Sequence, residues 1–95
     1  MNHPTVYSRF IGIDIASKKI DICDSKTKQH SCVENSIDGL QAFVRSLARS
    51  KKTTLVVMEA TGGYERLLVE ILQEHDISCA VAIHCKFATL LEGLV

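Results

Sequence analysis

No stretch of this sequence is apolar over the roughly 20 residues that a membrane-spanning helix needs. The first residues also lack the long apolar core of a secretory signal. The expectation is therefore a cytoplasmic chain with no membrane partner. Charge of one sign is missing too: 11 Lys and Arg balance 11 Asp and Glu, for a formal net charge of zero. A chain without a basic excess has no long-range pull on nucleic acid, which argues against a dedicated DNA-binding module. It leaves DNA chemistry open, because acidic metal-binding residues cancel basic ones nearby. Proline is nearly absent, and the single one, Pro4, lies close to the N-terminus. No repeat, linker or low-complexity segment is visible. Among the four cysteines, Cys23, Cys32, Cys79 and Cys85, no C-x-x-C pair occurs and the spacings match no familiar zinc module. They read as reduced thiols, with Cys23 and Cys79 inside apolar runs where a thiol behaves as a small hydrophobe.

The sequence does contain a normal globular balance, 46% hydrophobic and 23% charged residues in a chain of 95. That length suits one domain over residues 1–95, with enough buried surface for one modest core. Residues 6–15 are rich in β-branched and apolar side chains and close on Gly12 and Asp14, the pattern of a buried strand. Residues 18–24 alternate with a period of two, Ile20 and Ile22 inward, Lys19 and Asp21 outward, which predicts a half-exposed strand after a tight hairpin. A third short strand is expected over 29–34.

The period then changes. Leu40, Phe43, Val44 and Leu47 form one stripe of an amphipathic helix, with Asn35 or Ser36 as its cap. Residues 54–60 read as a buried strand ending at Glu59. Tyr64, Leu67, Leu68, Ile71 and Leu72 mark a second helix, residues 77–83 a fifth strand, and 86–94 the start of a third helix. The order is β-β-β-α-β-α-β-(α), an α/β class with a mixed sheet: an antiparallel meander first, then parallel additions. This is the order of elements in the RNase H-like (RuvC-like) fold.

Two carboxylates carry the candidate chemistry. Asp14 ends the first strand and Glu59 the fourth, each flanked by apolar residues. If those strands are parallel neighbours, both groups emerge at one sheet end, where ligands of open α/β sheets bind. Paired carboxylates repel, and a hard divalent cation, Mg²⁺ or Mn²⁺, relieves that repulsion. Strand-end carboxylates also serve to cap turns and backbone amides, so the pattern alone leaves both roles open. Ser17 and Lys18 beyond Asp14, and Thr61, Gly62 and Gly63 beyond Glu59, are candidate phosphate contacts. Ordinary turn geometry explains the same residues equally well. His30, His75 and His84 show no metal spacing.

The string Gly12-Ile13-Asp14-Ile15-Ala16-Ser17-Lys18, with Val57-Met58-Glu59-Ala60-Thr61-Gly62-Gly63-Tyr64-Glu65, resembles the N-terminal domain of the DEDD transposases of bacterial insertion sequences, relatives of the Piv/MooV invertases. Asn35 and Gly39 fit the segment between the two motifs, and the resemblance covers nearly the whole chain. It implies a RuvC-like fold, Mg²⁺ held by four acids of which Asp14 and Glu59 match the first two, and DNA cleavage and strand transfer. It further implies DNA as partner, a structured guide RNA in intact members, and a homo-oligomer. The family's remaining two acids lie in a D-x-x-D motif beyond the third helix, which this sequence does not reach. The expectation is therefore the N-terminal part of a longer transposase, incomplete as an enzyme. Where the family has Asn-Pro after the fifth strand, this sequence has Ile83-His84.

Three other readings remain. A Holliday-junction resolvase-like nuclease shares the Gly-Ile-Asp strand, but it requires compensating acids within these 95 residues and none sits well for the task. An actin-like or sugar-kinase lobe requires a Gly-Thr or Gly-Ser phosphate loop, which Ala16-Ser17-Lys18 does not supply. A catalytically inactive remnant, serving only as a dimerisation or nucleic-acid-contacting module, requires nothing more than the fold.

Overall fold

A computed structural model of the chain describes residues 6–59 and 62–82. Five strands and two helices follow one another: β1 (Arg9–Ile15), β2 (Lys19–Asp24), β3 (His30–Glu34), α1 (Ile37–Arg45), β4 (Thr54–Glu59), α2 (Arg66–Glu74) and β5 (Ser78–Ala82). A short 3₁₀ turn, Ala48–Ser50, joins α1 to β4. The expected third helix and residues Ile83 to Cys85 fall outside the described residues.

The strands form one sheet in the order β3-β2-β1-β4-β5. β1 pairs with β2, and β2 with β3, in antiparallel fashion; β4 joins β1, and β5 joins β4, in parallel. Short polar turns permit the first two pairings, whereas parallel neighbours need the helical crossovers that α1 and α2 provide. This mixed sheet is an RNase H-like fold, as the order of elements predicted.

One face of the sheet carries the core. Ile11, Ile13 and Ile15 of β1, Ile20 and Ile22 of β2, and Val56 and Met58 of β4 pack against Leu40, Phe43, Val44 and Leu47 from the α1 segment and Leu68, Ile71 and Leu72 of α2. The stripe expected for the first helix is buried in full. Ser36 caps α1, its Oγ accepting the Gly39 N–H at 3.2 Å. Gly39 is required by crowding: a Cβ there would lie 2.5 Å from the Glu34 carbonyl oxygen, so the first turn of α1 rests directly on the end of β3.

The second helix begins later than its apolar pattern suggested. Tyr64 and Glu65 precede it, and Tyr64 is exposed rather than packed. Gly62 and Gly63 hold positive φ angles (82° and 129°), and a turn closed by the Arg66 N–H donating to the Gly63 carbonyl at 3.2 Å precedes the helix.

Strand parity also corrects the reading of Cys23. It lies in an apolar run, yet it faces away from Ile20 and Ile22 and is exposed. Cys79 sits at the margin of the core, and burial pushes its thiol pKa above the ordinary 9.0.

Candidate metal centre

Alternation along β1 decides where Asp14 points. Ile13 and Ile15 enter the core, so Asp14 between them projects from the opposite face, which no described helix covers. The apolar neighbours that suggested a buried carboxylate lie on the other side of the sheet, and Asp14 itself is exposed. Glu59 follows the fully buried Met58 and is half-buried.

The last recorded pair between β1 and β4 is Ile13 with Met58. Asp14 and Glu59 are the next residues on the two strands. Both therefore stand on the same face and at the same sheet end, on strands whose spacing is typically about 4.8 Å. The structure brings these two predicted residues to a common rim.

Another carboxylate stands beside Asp14 alone. Asp21 of β2 lies directly opposite Asp14 in the antiparallel register and is exposed on the same face. Its alternation marked it as outward-facing, but only the register of the hairpin sets it beside Asp14. Like charges opposite one another destabilise a pair of strands, and neither Asp14 nor Asp21 makes an ion pair with a described residue. Below this row, Gly12 leaves the face without a side chain, and Gly12, Asp14, Asp21, Cys23, His30 and Cys32 line an open concavity of about 520 Å³. Cys23 Sγ and His30 Nε2 are 3.9 Å apart there.

The other candidates divide. Ser17 and Lys18 form the exposed tip of the β1–β2 hairpin, closed by the Ala16 N–H donating to the Lys19 carbonyl at 2.9 Å. Gly62 and Gly63 lie on the turn leaving β4, on the same side as the hairpin. The Gly63 N–H already donates to Glu65 Oε1 at 3.2 Å, so it is engaged within the protein. Thr61 lies outside the described residues.

The donor set at the rim consists of oxygens alone and suits a hard cation such as Mg²⁺ or Mn²⁺. Among the described residues, no three His, Cys, Asp or Glu side chains stand close enough together to hold an ion.

A family model described as a transposase, of the IS110 DEDD type, matches residues 11–89. The chain belongs to the DEDD transposase family. The match includes Asp14 and Glu59, most of β1, the whole of β4 and both helices. Comparison with curated proteins gave no match. Among solved structures, a chain in the cryo-EM structure of the simian T-cell lymphotropic virus intasome in complex with the PP2A regulatory subunit B56 gamma is similar to this DEDD transposase chain, with a TM-score of 0.55 at 11% identity. The alignment covers 97% of this chain and 41% of the other, and at that identity it speaks for the shared fold. No described helix is long and apolar enough to cross a membrane.

Proposed function

We propose that this chain is the N-terminal catalytic part of a DEDD transposase, contributing Asp14 and Glu59 to a Mg²⁺ or Mn²⁺ site for cleavage and transfer of DNA strands. The observation that carries the reading is the parallel register of β1 and β4, which runs to Ile13 and Met58 and leaves both carboxylates next in line on one face. A divalent ion bound there would supply Lewis-acid stabilisation of phosphate oxygens and activation of a water or hydroxyl nucleophile.

The protein's own part is to hold two carboxylates at fixed spacing on rigid strands. In this reading Ser17 and Lys18 at the hairpin tip and Gly62 on the neighbouring turn meet the phosphates of a substrate, the Gly63 N–H being held by Glu65. Asp21 adds negative charge beside Asp14 and strengthens attraction for a cation. DNA as partner, a multimeric assembly and the remaining acids in a following segment complete the proposal. Membership of the family supports these features, and the placement of Asp14 and Glu59 on adjacent parallel strands is compatible with them.

A thermal-shift titration tests the reading. Mn²⁺ or Mg²⁺ should raise the melting temperature of the wild-type chain, and Asp14→Asn or Glu59→Gln should abolish the rise. A second reading, a nucleic-acid-contacting module without catalysis of its own, draws on the lack of a third close ligand among the described residues. DNA binding with no ion-dependent stabilisation would select it over the first.

A further inference from the structure

Past the rim, β1 and β4 have no ladder to keep them together. β1 turns back through Ala16, Ser17 and Lys18 into β2, while β4 runs on towards α2. A side chain from a third element bridges the gap. Asn35, between β3 and the cap of α1, donates through Nδ2 to the Ala16 carbonyl at 3.0 Å and to the Tyr64 carbonyl at 3.2 Å. Its own backbone N–H donates to the Lys18 carbonyl at 2.9 Å. One residue thereby holds the hairpin that follows Asp14 and the turn that follows Glu59.

We propose that Asn35 is a positioning residue that clamps the Ser17–Lys18 hairpin tip and the Gly62–Tyr64 turn into one unit at the acidic rim. This rests on the reading of Asp14 and Glu59 as a cation-binding pair and adds the residue that keeps their two loops in register.

The chemistry calls for an amide. Both partners are carbonyl oxygens, so the bridging group must offer two N–H donors; a carboxylate has none and a hydroxyl has one. The backbone of Asn35 is itself held on both sides. Glu34 before it lies under Gly39, where no Cβ fits, and Ser36 after it caps α1. The clamp spans sequence separations of 19 and 29 residues, so it supplies a constraint that neither loop has locally.

The test uses the full 95-residue chain as wild type, Asn35→Ala, Asn35→Leu and Asp14→Asn. Hydrogen exchange is followed by NMR without added ion, at the Ala16 amide on the hairpin side and the Arg66 amide on the turn side, each of which donates to a local carbonyl. Mn²⁺ affinity is measured by calorimetry. Both Asn35 variants should speed exchange at Ala16 and Arg66 together while the core of β1 and β4 stays protected. They should also weaken Mn²⁺ binding by about tenfold, the usual scale for loss of a group that orients metal ligands.

Faster exchange at one loop or neither would overturn the clamp. Faster exchange at both with unchanged Mn²⁺ affinity would overturn the positioning role and leave a loop staple. Absence of Asp14-dependent Mn²⁺ binding in the wild type would refute the cation reading instead, and the exchange data would still decide the clamp.

Discussion

At the start of β1, Arg9 meets Asp24 across the strand pair; towards its other end, Asp14 meets Asp21 across the same pair. The first meeting is closed. Asp24 is buried on the helix face, and Arg9 reaches it through two guanidinium nitrogens while a third donates to Ser50 Oγ at 3.0 Å. Thr54 Oγ1 bonds the same Ser50 oxygen, and the Lys26 N–H donates to Asp24 Oδ1 at 2.9 Å. The second meeting is open: two exposed carboxylates face each other, and their balancing charge does not come from a described residue. Buried charge must be satisfied within the protein, whereas an exposed acidic row can accept its counter-charge from outside. The comparison separates a charge pair satisfied within the fold from one that leaves its counter-charge to come from elsewhere.

The largest effect should come from the neighbour of Asp14 that faces the other way. Ile13→Ala empties a fully buried site and should cost about 2–5 kcal/mol in denaturant unfolding. Next, Arg9→Met should destabilise by about 2–3 kcal/mol, because it strands the Asp24 carboxylate in a mostly buried position; Asp24→Leu in the same chain should recover part of that loss. Gly39→Ala should cost about 1–3 kcal/mol, since the added carbon meets backbone rather than a yielding side chain. Asp14→Asn should have the smallest effect. It relieves repulsion at an exposed pair and should raise the ion-free melting temperature by about 1–3 °C. A substantial loss of stability there would show that the rim is structural and erase the contrast.

Acid should separate the two ends as well. Burial pushes the Asp24 carboxyl upward. The hydrogen bond from Arg9, the Lys26 N–H, the Arg9 charge and the Thr27 N–H together outweigh burial and hold it below the ordinary 3.8. A carboxyl whose folded pKa is depressed stabilises the fold fully above its unfolded pKa and loses that contribution as pH falls through the folded value. Stability measured from pH 6 downwards should therefore fall below about pH 4, and Asp24→Asn should flatten that decline.

Most of the architecture was legible in the residues. Apolar β-branched runs, a period of two over residues 18–24 and a period of three to four further on marked the described strands and both helices. Gly12-Ile13-Asp14 and Met58-Glu59 marked the rim. Three features were not. Cys23 and Asp14 looked enclosed because their sequence neighbours are apolar, but alternation sends those neighbours to the opposite face. Asp21 gave no signal beyond its polarity, because its approach to Asp14 depends on hairpin register. Asn35 stood out as a cap candidate and as a residue fitting the family segment, but not as a bridge, since its carbonyl partners come from two loops distant in sequence.

The order of residues alone determined which segments become strands and helices, and which side of each is apolar, because those properties follow from local spacing and burial of side chains. Register, and with it the row formed by Glu59, Asp14 and Asp21 and the reach of Asn35 to Ala16 and Tyr64, was decided by tertiary structure. Pairing of distant strands and the packing of α1 on β3 set these distances, and no local pattern encodes them.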